Sequence, residues 1–293
     1  MPSAPEEWLR SGGWFQFKSH SIFYRAAHRP GKPTLLLIHG FPTSSYDFAP
    51  IWPQLAKHFS LVTADMLGFG FSGKPYPHHY SIIEQADLLE ALLKHLKVKE
   101  YHVLTHDYGV SVAQELLARQ PSKKRPVLSV CFLNGGLYPE HHKPLLVQKL
   151  MLSPLGPLLA KFFTKPKLRA SFDNIFGERK ASEGELEAFW QLIEYNKGRR
   201  VIPKLLHYMN ERRQYRERWV NAMEGTTVPL SMINGPMDPI SGRHLAQAFA
   251  QRNPKARVEI LEGVGHYPQV EAPEKVAKLY LSILGKQSFP KMD

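Results

Sequence analysis

Short, mostly apolar runs alternate along the chain with longer segments whose apolar positions recur every three or four residues. The short runs are Thr34–Ile38, Ser60–Ala64, Tyr101–Thr105, Val127–Leu133, Val228–Ile233 and Arg257–Leu261. Runs of this length without polar alternation predict strands buried on both faces of a parallel sheet. The helical periodicity covers Phe48–Lys57, Ser81–Leu96, Val110–Gln120, His244–Ala250 and Pro273–Leu284. Phe15–Tyr24 alternates loosely and predicts one or two further strands at the start. Strand and helix alternate, so the sheet is expected to be mostly parallel with helices on both faces.

Between about Gly136 and Met223 the alternation stops. That block is helical, aromatic and basic, with no convincing strand. The prediction is an α/β core formed by residues 1–135 and 225–293, with residues 136–224 inserted as a helical cap. The cap would stand over the C-terminal ends of the strands, where open α/β sheets bind ligands.

Composition narrows this picture only slightly. With 43% hydrophobic and 22% charged residues, the chain is globular and not disordered. The formal net charge is +12, and the basic residues are scattered apart from Arg199, Arg200, Arg212, Arg213, Arg216 and Arg218. Glu211 and Glu217 interleave with the latter group at helical spacing, which predicts a solvated helix face. No nucleic-acid motif is present; beyond a solvated face, the charge suits weak association with an acidic membrane surface or an anionic ligand. The one cysteine, Cys131, lies in an apolar run and is expected in the core. The N-terminus lacks the pattern of a signal peptide, and no window is apolar enough to span a membrane, so a cytoplasmic protein is expected. Leu145–Phe163 comes nearest, but Lys149, Pro154, Pro157 and Lys161 interrupt it; it predicts two short apolar helices or a surface lid.

Candidate chemistry clusters where strands end. Val103-Leu104-Thr105-His106-Asp107-Tyr108-Gly109 is a strand, a tight turn and the start of a helix. That setting lifts one side chain off the sheet as a nucleophile elbow, and here the residue lifted is Asp107. A carboxylate there attacks a saturated carbon and forms an ester with it. Asp238 follows the strand ending at Ile233, and His266 follows the strand ending at Leu261. His266 is the expected base that draws a proton from the water attacking the ester, and Asp238 is expected to orient its ring. His39-Gly40-Phe41-Pro42 follows the early strand, and the backbone N–H groups of Phe41 and Tyr108 are the expected oxyanion donors.

These residues carry a resemblance. The stretches His39-Gly40-Phe41-Pro42-Thr43-Ser44-Ser45-Tyr46-Asp47, Leu67-Gly68-Phe69-Gly70-Phe71-Ser72, His78-His79-Tyr80-Ser81-Ile82 and His106-Asp107-Tyr108-Gly109 resemble the α/β-hydrolase superfamily. Ala113-Gln114-Glu115-Leu116-Leu117 and Arg218-Trp219-Val220 add to them, so the likeness covers nearly the whole chain. It is strongest to the aspartate-nucleophile branch of epoxide hydrolases and haloalkane dehalogenases, and within it to the mesoderm-specific transcript-like hydrolases. The resemblance implies an α/β-hydrolase fold, an order of nucleophile, acid and histidine matching Asp107, Asp238 and His266, and an apolar small-molecule substrate. No metal or organic cofactor is implied.

Two reactions compete. Haloalkane dehalogenases hold the leaving halide with N–H donors, often from Trp after the nucleophile and Asn after the early His-Gly pair. Here those positions are Tyr108 and Phe41; Trp190 and Trp219 could supply one donor. Epoxide hydrolases match His39-Gly40-Phe41-Pro42 better and use cap tyrosines to protonate the opening oxygen. The cap offers Tyr138, Tyr195, Tyr208 and Tyr215. On one continuous helix Tyr208, Tyr215 and Trp219 share a face, either packing the cap or facing Asp107. His39, His106, Tyr208, Tyr215 and Trp219 are therefore the candidate substrate-binding residues. Epoxide opening is the favoured reading and haloalkane dehalogenation the runner-up. A binding or scaffold protein without turnover is the reading of another class. Serine-based ester hydrolysis is disfavoured, because Ser111 lies one helical turn past the elbow.

Overall fold

The computed structural model describes residues 5–120 and 126–285. It contains one eight-stranded sheet in the order β1-β2-β4-β3-β5-β6-β7-β8. The strands are β1 (Gly13–Phe17), β2 (His20–Ala27), β3 (Thr34–Ile38), β4 (Ser60–Ala64), β5 (Tyr101–Thr105), β6 (Val127–Phe132), β7 (Leu230–Asn234) and β8 (Arg257–Ile260). The first two pair antiparallel at one edge, and β3 to β8 run parallel. The apolar runs become the central strands because helices bury both of their faces. Leu35, Leu36, Leu37, Val103 and Leu104 have no exposed surface.

The crossover helices carry ordinary start signals. In Ile82–His95 the Ser81 hydroxyl accepts from the Glu84 amide, with Glu84 in the first turn and Lys94 and His95 in the last. The helix expected over Phe48–Lys57 is not one helix. A 3₁₀ turn, Ser45–Phe48, is followed by a four-residue helix, Trp52–Leu55. Pro50 and Pro53 explain the difference, because neither has an N–H to continue a helical ladder.

β6 and β7 are neighbours in register, Val130 opposite Leu230, although almost a hundred residues separate them. The chain between leaves the sheet and returns beside its point of departure. Its helices include Leu146–Met151, Gly156–Lys161, Lys165–Ile175, Glu183–Glu194, Tyr208–Gln214 and Arg216–Glu224. No helix among the described residues is long and apolar enough to cross a membrane. Cys131 is buried in β6, as expected.

Two expectations for this block need correction. Tyr208, Tyr215 and Trp219 do not lie on one helix. Tyr215 has φ −100° and ψ 17° and separates two helices. The Glu211/Arg212 pair is not solvated either, with exposures of 7% and 2%. Glu211 turns inward to accept from the Ile82 amide at 3.0 Å, meeting the first turn of a neighbouring helix. Burial pushes that carboxyl up to about 7.

Candidate active site

The elbow is built by backbone strain held in place on all sides. Asp107 has φ 48° and ψ −106°, an unfavourable conformation for a residue with a Cβ. Its amide donates to the Asn134 carbonyl at 2.7 Å, and Arg212 donates to its carbonyl at 2.8 Å. The turn is too crowded for side chains on its neighbours. A Cβ on Gly109 would come 2.6 Å from the Ile38 oxygen, and one on Gly40 would come 2.7 Å from the Asp107 Cβ.

Asp107, Asn134, Asp238 and His266 follow β5, β6, β7 and β8, four strands that are neighbours in the sheet. Hydrogen bonds link them across the strand ends. His266 Nδ1 lies 2.7 Å from Asp238 Oδ2, and its Nε2 lies 3.5 Å from Asp107 Oδ2. Asp238 also accepts from Asn134 Nδ2 at 3.0 Å, the Ser241 hydroxyl at 2.6 Å and the Ile240 amide at 2.8 Å. On the other side, the Phe41 N–H donates to Asp107 Oδ1 at 2.9 Å. Tyr108 opens the helix after the elbow, where amides have no upstream carbonyl within the helix.

The electrostatics follow from a ring enclosed between two carboxylates. Burial alone would lower the His266 pKa, but Asp238 and the bonded Asp107 push it up to about 10. Burial alone would raise Asp107; the bond to His266, its charge and that of Arg212 hold it below the ordinary carboxylate range. Asp238 is likewise held down against burial, chiefly by the His266 charge and hydrogen bond. The resting site is an anion–cation–anion row.

The apolar cavity beside Asp107 takes Phe41, Pro42 and His266 from the sheet side. From the inserted block come Met151, Phe163, Leu168, Phe172, Ile175 and Leu206, with Gln148 and Ser171 as the polar members. A carboxylate at the end of such a cavity can attack an apolar electrophile, and the paired imidazole can then activate water.

Several expected substrate contacts are placed elsewhere. His39 accepts from the Met66 amide at Nε2, 3.0 Å, so its Nδ1–H donates to the Gly40 carbonyl at 2.8 Å. Burial brings it down to about 4, and it braces the loop as a neutral ring. His106 Nε2 bonds the His266 carbonyl at 2.7 Å. Trp219 donates its indole N–H to Glu115 at 2.7 Å, and Tyr215 packs on Trp219 at 5.3 Å. None of these four lines the cavity. The helix that starts after Tyr215 brings Trp219 to Glu115 on the elbow helix. Tyr208 does not line the cavity either, but it packs against a residue that does. Its buried ring packs 5.0 Å from Tyr108 and 6.1 Å from the cavity residue Phe41. The guanidinium of Arg212 lies over it, 4.5 Å from the ring centre, and the phenol oxygen has no hydrogen bond among the described residues.

Sequence reasoning missed Asn134 and Arg212. Asn134 had a faint signal, a lone amide ending the apolar run of β6. Arg212 had none, since its position read as a solvated face. Its Nε donates to Ser111 Oγ at 2.7 Å, so it clasps both the elbow and the first turn behind it.

Comparison with known proteins agrees with this layout. Residues 33–273 match the α/β-hydrolase-fold family. The chain is 42% identical over 300 residues to the human mesoderm-specific transcript homolog protein, covering 97% of this chain and 89% of that one. It is 38% identical over 282 residues to LipZ of Mycobacterium tuberculosis, named a hydrolase of no stated substrate, covering 95% and 97%. The crystal structure of haloalkane dehalogenase DbeA from Bradyrhizobium elkani superposes with a TM-score of 0.77 over 94% of this chain and 99% of that chain, at 24% identity. A match that runs through the parallel sheet, the insertion and the elbow, joined to near-full-length relatives, places the chain: it belongs to the α/β-hydrolase superfamily and is a hydrolase.

Proposed function

We propose that this hydrolase opens epoxides to diols through an ester on Asp107. The observation that carries the reading is the Asp107 carboxylate itself, bonded by the Phe41 amide and facing an apolar cavity, with the Asp238–His266 pair behind it. Asp107 attacks an epoxide carbon, the C–O bond breaks, and the departing oxygen takes a proton. Tyr208 is the proposed donor. Burial, and then the charge of Asp107, raise its pKa, so the phenol keeps its proton until an alkoxide forms beside it. The Tyr208 phenolate regains a proton through solvent from His266, which is cationic at rest; water then adds to the ester carbonyl as the now neutral His266 removes its proton, with the oxyanion held by the Phe41 and Tyr108 amides. Collapse releases the diol and restores the carboxylate. The helices of residues 136–224 act in this reading as the cap that shapes the substrate.

Dehalogenation is the second reading, and one observation favours it. Gln148 lines the cavity, and its Oε1 is taken by the Leu145 amide, which leaves the NH₂ group as a possible halide donor. The engaged indole of Trp219 weighs on the other side.

The test is intact-protein mass spectrometry of His266→Gln, incubated separately with pooled epoxides and pooled haloalkanes. Without its base the enzyme stalls at the ester. The expected result is a mass gain equal to a whole epoxide. A gain equal to a haloalkane minus its halide would replace this reading with dehalogenation. No adduct from either pool would favour a binding protein without turnover.

A further inference from the structure

Five of the nine exposed large hydrophobic side chains among the described residues stand on two short adjacent helices. Leu146 and Leu150 are 72% and 50% exposed on Leu146–Met151, one helical turn apart. Leu155 and Leu158, at 63% and 52%, and Phe162, at 58%, follow the same outer face along Gly156–Lys161 and its flanks. The inner face is already used, since Gln148, Met151 and Phe163 line the cavity. Scattered exposed leucines are ordinary, but a contiguous set of this kind marks an interaction surface.

Along the patch's own stretch of chain the charge has one sign. Residues 141–172 contain no Asp or Glu, while Lys149 and Lys161 lie within the patch and Lys143 and Lys167 lie just outside. These four lysines make no ion pair among the described residues, whereas Lys165, near Lys167, pairs with Glu187. A neighbouring surface hollow brings Lys197 and Arg200 beside Lys161, together with the Arg199–Glu194 ion pair, so the hollow carries a net positive charge. Apolar side chains ringed by unpaired cations fit the interface of an anionic bilayer, where the apolar groups enter the acyl boundary and the cations meet lipid phosphates. A second copy of the chain fits less well, because a two-fold contact through this face would press its lysines against their own copies.

We propose that the outer face of Leu146–Phe162 docks on anionic membrane surfaces. The helices are too short to cross a bilayer and lie along it. Docking sets the roof of the cavity against the phase in which apolar substrates concentrate. This inference stands independently of which bond the enzyme breaks.

The test is flotation of the full chain with phosphatidylcholine vesicles, with and without about one-third phosphatidylglycerol. Binding is expected to the anionic vesicles, to be much weaker with phosphatidylcholine alone, and to fall as salt rises. Lys149→Gln and Lys161→Gln are each expected to weaken it about fivefold. The Leu150→Ser/Leu158→Ser double variant is expected to weaken it at least about tenfold with an unchanged circular dichroism spectrum. Failure of the wild-type chain to float with anionic vesicles would overturn the proposal, as would undiminished binding of the serine variant. A dimer in light scattering that the serine variant abolishes would also overturn it, by making a second copy the occupant.

Discussion

The strand ends and the inserted helices contribute to one cavity under opposite rules. At the strand ends every reactive group is tied. Asp238 accepts from Asn134, Ile240, Ser241 and His266, and Asp107 is held through its amide, its carbonyl and its carboxylate. In the insertion the cavity walls are apolar side chains apart from Gln148 and Ser171, and the nearby Tyr208 phenol oxygen is left without a hydrogen bond among the described residues. The sheet thus fixes which bond chemistry is available, through backbone register that a substitution on the surface hardly disturbs. The helices set which molecule reaches it, through packing that single side chains can change.

The largest effect that tests this division belongs to Asp107→Asn. Turnover should fall by about 10⁴-fold or more while circular dichroism shows a folded chain. Activity near the wild-type level, with Asn still present by peptide mass, would remove the nucleophile from the strand ends altogether.

The pH dependence comes next. Ester formation needs an ionised Asp107, whose pKa is held below the ordinary carboxylate range, so that step should stay level on acidification well into the carboxylate region. Ester hydrolysis needs a neutral His266, whose resting pKa is about 10. Esterification removes the Asp107 charge and with it part of that elevation, so the second step should rise with pH at values below the resting pKa. Single-turnover quench experiments read both steps, and one shared profile would contradict the roles. Stability carries matching signs. The elevated His266 stabilises the fold fully below its unfolded pKa of about 6.5 and loses that contribution as pH rises toward 10. The depressed Asp107 and Asp238 stabilise above about 3.9 and lose their contribution as pH falls.

Arg212 blurs the division, because an inserted helix here reaches the elbow. Arg212→Met would leave the Ser111 hydroxyl without its donor and the Asp107 carbonyl with the Val110 amide alone, at a cost of about 1–3 kcal/mol in urea melts. A drop of about tenfold or more in kcat with KM unchanged is expected, since Arg212 does not line the cavity. A change confined to KM would make it a substrate contact. The smallest effect belongs to Trp219→Phe, which removes one buried hydrogen bond to Glu115 and about 1–2 kcal/mol of stability. Its turnover should match the wild type; a selective loss would return Trp219 to the substrate.

The same contrast explains what could be read from the sequence. β3, β4 and β5 were legible to the residue, because a strand buried on both faces must be a short apolar run. The placement of Asp107, Asp238 and His266 was legible because each follows such a run in the loop just after it, two, four and six residues past β5, β7 and β8. Side-chain geometry in the insertion was not. Periodicity counts positions along an assumed helix and cannot register the break at Tyr215, which depends on how the following helix packs along the elbow helix. Charge patterning treats Glu211 and Arg212 as solvated, because what buries them is contact with Ile82, Tyr208 and the elbow, all distant in sequence. The Phe48–Lys57 expectation failed for a local reason that was visible, the two prolines.

The grip of Arg212 on the elbow bears on how such an enzyme can be rebuilt. Insertions between β6 and β7 look interchangeable, since both ends return to neighbouring strands. Here, however, a chimera that exchanged residues 136–224 for another insertion would discard the guanidinium bonded to the Asp107 carbonyl. The graft would lose not only selectivity but also part of the support beneath the elbow. Transplanting this chain's specificity onto another scaffold therefore requires moving Arg212 and Ser111 together, one from each side of the apparent seam.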